Sequence, residues 1–264
     1  MASQAPQLPL MYKQLEPLSN QRHANLKTRG TDTVPFLANI HAVPLLIDEF
    51  VSAQRFFPIV FSLGDTPVPL ALMGLHEGVN TYFDAEGKLI SPAYVPAYIR
   101  RYPFMLARLQ PEADTLSLCF DPSSDLIGEF DEGQPLFEGE QPSQVTQNIL
   151  KFCEEFEVAA QRTNQFVQDL KASDLLMDGE LTIQMEADVQ PMIYRGFQMI
   201  DENKLREMRG DELRKINQNG MLPLLFAHLF SLPMAREVFL RQVQQGKGPQ
   251  PPAASVQAPA TANA

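Results

Sequence analysis

Ser143-Gln-Val-Thr-Gln-Asn-Ile-Leu-Lys-Phe-Cys-Glu-Glu-Phe-Glu-Val-Ala-Ala-Gln-Arg-Thr-Asn-Gln-Phe-Val-Gln-Asp-Leu170 is the stretch that decides the fold of this 264-residue chain. Apolar or small residues fall at Val145, Ile149, Phe152, Phe156, Ala159, Thr163, Phe166 and Leu170. The steps between them alternate four and three, which lays all eight along one stripe of a helix about seven turns long. Lys151, Glu154, Glu155, Arg162 and Asp169 lie off the stripe. Ser143, following Pro142, is suited to cap the helix, because its hydroxyl oxygen can accept from a first-turn N–H. A helix with one apolar face must bury it, here against a sheet or, as the other option, against a second copy of the chain.

The sheet is foreshadowed upstream. Phe57-Pro-Ile-Val-Phe-Ser-Leu63 and Val68-Pro-Leu-Ala-Leu-Met-Gly-Leu75 are apolar runs flanking the turn residues Gly64 and Asp65, so they read as a hairpin. Leu116-Ser-Leu-Cys-Phe120 reads as a further strand, and Gly87 supplies a residue able to take positive φ in a turn. Pro67, Pro69, Pro92, Pro96 and Pro103 cannot donate ladder hydrogen bonds, which predicts an irregular antiparallel sheet with edges and bulges. Residues 121–140 hold seven acids and no Lys or Arg, with several Gly and Pro, and are expected to be a solvated loop.

Beyond the long helix, Leu181–Met185 and Met192–Ile200 predict a small second hairpin. Asp201–Arg209 and Asp211–Asn219 predict short helices, and Met221–Val243 a helical C-terminus. The expected class is α+β. A flexible lead-in spans residues 1–10, a sheet-rich region 11–142, and a helix-rich region 143–245 packed on it as one unit. A disordered tail follows over 246–264, where Pro, Ala, Gln and Ser replace large hydrophobes.

A formal charge of −11 argues against nucleic acid as a partner, since phosphate backbones demand clustered Lys and Arg. Only Cys119 and Cys153 are present, without the spacing of a disulfide framework or metal site, so buried thiols in a reducing compartment are expected. Met1–Leu10 has neither a basic segment nor a continuous apolar one, so no Sec signal is read there and cytoplasmic residence is expected. The apolar run Met221–Ala235 is shorter than the roughly 20 residues of a membrane span and is interrupted by Pro223, His228, Ser231 and Pro233.

The chemically densest segment is Tyr94-Val-Pro-Ala-Tyr-Ile-Arg-Arg-Tyr-Pro-Phe104, with three tyrosines, two prolines and an arginine pair in eleven residues. It is either an aromatic core edge whose cations answer the surplus acid or one wall of a ligand pocket. Read as extended chain, it points alternate side chains to opposite faces. Arg100 then shares a face with Tyr98 and Tyr102 and looks into a cavity, while Arg101 looks away. Tyr94, Tyr98, Arg100 and Tyr102, with His23 and His76, are the candidate ligand residues, suited to a small anionic or peptidic ligand. His76-Glu77 lacks the second histidine of a zincin helix, and GxSxG, P-loop and GxGxxG patterns are absent from the sequence, so no metal or cofactor is predicted and no reaction is named.

Phe57-Pro-Ile-Val-Phe61, Leu72-Met-Gly-Leu75 with Asn80, the Tyr94–Phe104 run, the long helix, and Leu222-Pro-Leu-Leu-Phe-Ala-His-Leu-Phe-Ser-Leu232 together resemble the SapC family of bacterial proteins over roughly residues 10–240. The resemblance implies a setting, not a reaction: an accessory protein associated with a surface layer, reaching it by a non-Sec route and acting by binding a protein partner or itself. The Tyr94–Phe104 cluster leaves an enzyme or a small-molecule or peptide binder as the alternative to that accessory binding protein. Where the family pattern leads one to expect Trp after Gly87, this chain has Lys88-Leu-Ile90.

Overall fold

A computed structural model describes residues 8–30, 33–109, 115–184 and 191–248. The spine helix runs over Gln144–Ala172, and the Ser143 side chain accepts from the Thr146 backbone N–H. It packs against the strand Phe104–Ala107, and its Phe166 reaches Phe61 of an antiparallel sheet of five strands in the order Leu176–Ile183, Met192–Ile200, Ile59–Phe61, Pro69–Leu72 and Ala42–Pro44. The central hairpin pairs Ile59 with Ala71 and Phe61 with Pro69, so the apolar runs around Gly64-Asp65 meet as their sequence implies. The architecture is α+β.

Three expectations need correction. The later hairpin is not a separate small sheet. Its longer strand joins the central one through Gln198 opposite Phe61, because Phe61 and the neighbouring Phe197 are both fully enclosed there. The acidic segment 121–140 is not a free loop. Ile127–Gly128 and Gln134–Pro135 pair with the two sides of Lys27–Thr28, and Leu136, which follows directly, is fully buried. Asp121 at its start is also enclosed. Burial pushes its carboxyl up, but hydrogen bonds from the Lys13 and Ser123 N–H groups and the Ser123 hydroxyl outweigh that and hold it below the usual range. The first residue of the second short helix is Gly210, with Arg209 rather than Asp211 leading in.

Two hydrophobic clusters result. The larger includes Phe50, Phe57, Phe61, Tyr82, Phe166 and Leu170; the smaller is built from Phe104, Leu106, Phe120, Ile127, Leu136 and Cys153. The spine helix contributes to both. Its C-terminal half buries Phe156, Ala159, Thr163, Phe166 and Leu170 as the periodicity predicts, but Val145, Ile149 and Phe152 in its N-terminal half are only half-buried. Thr163 also serves as a clasp, its hydroxyl accepting from the Ile47 N–H and donating to the Ala159 carbonyl.

The segment Met221–Gln244 is long and apolar enough to cross a membrane by length and composition, yet it is divided into helices Met221–Ser231 and Met234–Gln244 around Pro233. Its inner face carries polar groups that anchor it. Ser231 accepts from the Ile59 N–H, and Gln242 accepts from the Leu75 N–H. His228, with no exposed surface, accepts from the Ile200 N–H at Nε2, leaving Nδ1 as a buried atom without a hydrogen-bond partner among the described residues. Beyond the helix, Lys247 donates to the Asn80 carbonyl and accepts from Gln242, so Gly246–Gly248 lie against the body; the rest of the tail, 249–264, lies outside the described residues.

Candidate functional site

Where the two clusters meet, the half-buried part of the spine helix floors a cavity of about 1170 Å³. Val145, Ile149 and Phe152 project into it from one helical face. One wall comes from the Tyr94–Phe104 segment, which is not extended. Pro96 opens a single helical turn, Ala97–Arg100, before a cis Tyr102–Pro103 bond leads into the strand Phe104–Ala107. The opposite wall is Thr28–Gly30, and the rim is the acidic segment around Glu129–Gly133.

Helical rather than alternating geometry changes which arginine does what. A spacing of three puts Tyr98 beside Arg101 on the turn, and the Arg101 guanidinium lies 4.7 Å from the Tyr98 ring centroid, 4.0 Å from that of Phe156 and 5.9 Å from that of Tyr12. Arg101 is the buried member of the pair, with the Glu157 carboxylate 3.7 Å away. Its Nε has no hydrogen-bond partner among the described residues. Burial pushes the Glu157 carboxyl up, and the Arg101 charge only partly offsets this. Arg100 is half exposed. Its Nε donates to the Val95 carbonyl and its guanidinium lies 5.2 Å from the Phe152 ring centroid, with Glu49 4.0 Å from the nearest nitrogen. Both arginines line the cavity, so the expectation that Arg101 turns away is corrected.

Glu49 sets the pose of this wall. Its buried carboxylate accepts from the Ala97 and Leu46 N–H groups and from the Tyr94 hydroxyl. Burial and that bond to a carboxylate raise the Tyr94 phenol to about 12, so Tyr94 is a fixed neutral donor. Tyr98 donates to the Leu10 carbonyl, and Tyr102 sits edge-on to Tyr12 and Phe36. On the far wall Arg29 lies 4.2 Å over the Phe130 ring. Cys153 also borders the cavity, but burial raises its thiol to about 11 and keeps it neutral at ordinary pH.

Of the six sequence candidates, the structure brings Arg100 and Tyr102 to the cavity, with Tyr94 and Tyr98 behind its wall as supports. His23 and His76 are elsewhere. His23 accepts from the Ser19 N–H and faces Glu16, while His76 accepts from Gln242 at the C-terminal helix. Sequence reasoning missed Arg29, Phe130 and the organising Glu49. The sequence sets Val145, Ile149 and Phe152 on a stripe to be covered by the sheet or by a second copy of the chain, not in a cavity. Among the described residues no group of three His, Cys, Asp or Glu side chains is placed to hold a metal ion.

An α+β protein with a large, arginine-walled cavity between two hydrophobic clusters is a class many families share. The SapC family model matches residues 18–237, most of this chain, and the chain belongs to the SapC family. No curated protein and no solved structure matches it.

Proposed function

We propose that this SapC-family protein acts by binding, as an accessory protein of a bacterial surface layer, and that the cavity floored by the spine helix is its binding site. The observation that carries this reading is the interruption of the helix stripe. Val145, Ile149 and Phe152 keep the apolar character and spacing of core residues but line an open cavity of about 1170 Å³ where the core should continue. A cavity that size exceeds the usual 300–1,000 Å³ of small-molecule sites, and leaving apolar side chains around a void forfeits packing that the rest of the helix obtains.

The test uses N-phenyl-1-naphthylamine, a neutral apolar fluorophore that brightens on leaving water. The wild-type protein is expected to bind it, and Val145→Trp, which pushes an indole into the void from the first helical turn, is expected to lose binding while keeping its circular dichroism spectrum. Undiminished binding by the folded Val145→Trp protein, or none by the wild type, would refute the cavity as a site. The surface-layer setting is tested separately, by cell fractionation with an antibody to the chain.

A further inference from the structure

Resting on the cavity as a binding site, we infer that its ligand is an amphipathic monocarboxylate, the carboxylate meeting Arg100 and Arg101 and the apolar body lying along Val145, Ile149 and Phe152. Three observations lead there. Arg101 is a buried cation whose one nearby carboxylate, Glu157, stands 3.7 Å away, and whose Nε lacks an acceptor among the described residues. That Nε is sealed from the cavity, but the Glu157 oxygen at 3.7 Å stands beyond hydrogen-bond length, so a ligand carboxylate that reached the terminal guanidinium nitrogens from the cavity would be the closer acceptor. Arg100, the next residue, has its Nε spent on Val95 and its plane against Phe152, so two guanidiniums reach the same wall directly beside the apolar floor. Guanidinium is a planar fork matched to carboxylate.

The charge balance disfavours a doubly charged head. Arg29, Arg100 and Arg101 line the cavity with Glu129, Asp131 and Glu132, while Glu49 and Glu157 stand against the arginine pair in a chain of net charge −11. Attraction is therefore confined to direct contact with the guanidiniums, and a phosphate dianion would meet more repulsion from the surrounding acids than a carboxylate. The same acidic background makes the test discriminating, because a protein so negative has no general tendency to prefer anions.

Calorimetry with octanoate, octan-1-ol and octylammonium compares equal apolar bodies with different heads. Wild-type protein is expected to bind octanoate about ten- to a hundredfold tighter than octan-1-ol, the range for a charge-assisted hydrogen bond, and octylammonium weakest. Arg100→Met is expected to bring the octanoate-to-octanol ratio close to one, and Arg100→Lys to restore part of it; Arg101 is left intact because its buried ring contacts serve the fold. If octanol binds as tightly as octanoate, or Arg100→Met leaves the ratio unchanged, carboxylate recognition is refuted while the fluorophore result still stands for the cavity. If wild-type protein binds neither the fluorophore nor any of the three probes, the binding-site reading falls, and this inference with it.

Discussion

His228 makes the stability of this protein depend on pH in a way that one substitution should abolish. The imidazole is fully enclosed, 5.2 Å from the Phe61 ring, and holds the Ile200 N–H at Nε2. Burial lowers its pKa from 6.5 to about 4, while in the unfolded chain the ring is free to take a proton at its ordinary value. Between those two values the unfolded state binds more protons than the native state, so stability is fully present above pH 6.5 and is lost as pH falls toward 4. The full window is worth about 3 kcal/mol, and the part between pH 7 and pH 5 about 2 kcal/mol. Urea denaturation of wild type and His228→Gln at both pH values isolates the contribution, since every other titrating group is common to the two. Glutamine retains an acceptor near the Nε2 position and does not titrate. Its stability is expected to fall by about 2 kcal/mol less than that of wild type over this interval. Equal losses in the two proteins would refute the assignment of a neutral, buried His228.

Phe156→Ala is expected to cost about 3–5 kcal/mol in denaturant melts, the range for emptying a core aromatic site, and Phe152→Ala less than half of that, because Phe152 already faces a void. Glu49→Gln should destabilise by about 1–3 kcal/mol, since an amide presents two donors where three donors now converge on a carboxylate, and thermal melts would register it. Gly87→Ala should exceed the roughly 1–3 kcal/mol of a strained left-handed residue. Gly87 has φ 76°, and a Cβ there would sit 2.0 Å from the Val34 carbonyl carbon. Soluble yield and melting temperature measure that outcome.

Much of the fold was legible where periodicity was long or turn chemistry plain. The alternating steps of four and three marked the spine helix, and two apolar runs around Gly64-Asp65 marked the central hairpin. The partner of a strand is not written in its own sequence, so nothing local announced that Gln198 would meet Phe61 and merge two hairpins into one sheet. The Tyr94–Phe104 run reads as extended chain when its side chains are counted in twos, but one helical turn fits between its prolines. Proline disfavours helix interiors but is well tolerated at their starts, where Pro96 stands. That error of period hid Arg101, which lines the cavity beside Arg100. The cavity was illegible for a different reason. Hydrophobic spacing tells which side chains seek cover, and three of the eight on the spine's stripe find it only in part.

The spine helix therefore divides mutational tolerance along a single element. Toward Leu170 any change of volume is felt by residues packed on every side. Toward Val145 a larger or smaller side chain alters the outline of an open space first and the packed clusters second. Substitutions accumulating at Val145, Ile149 and Phe152 can retune what fits while Phe156, Phe166 and Leu170 hold the scaffold constant. The outline of the cavity can therefore change over three positions at little cost to the packed scaffold.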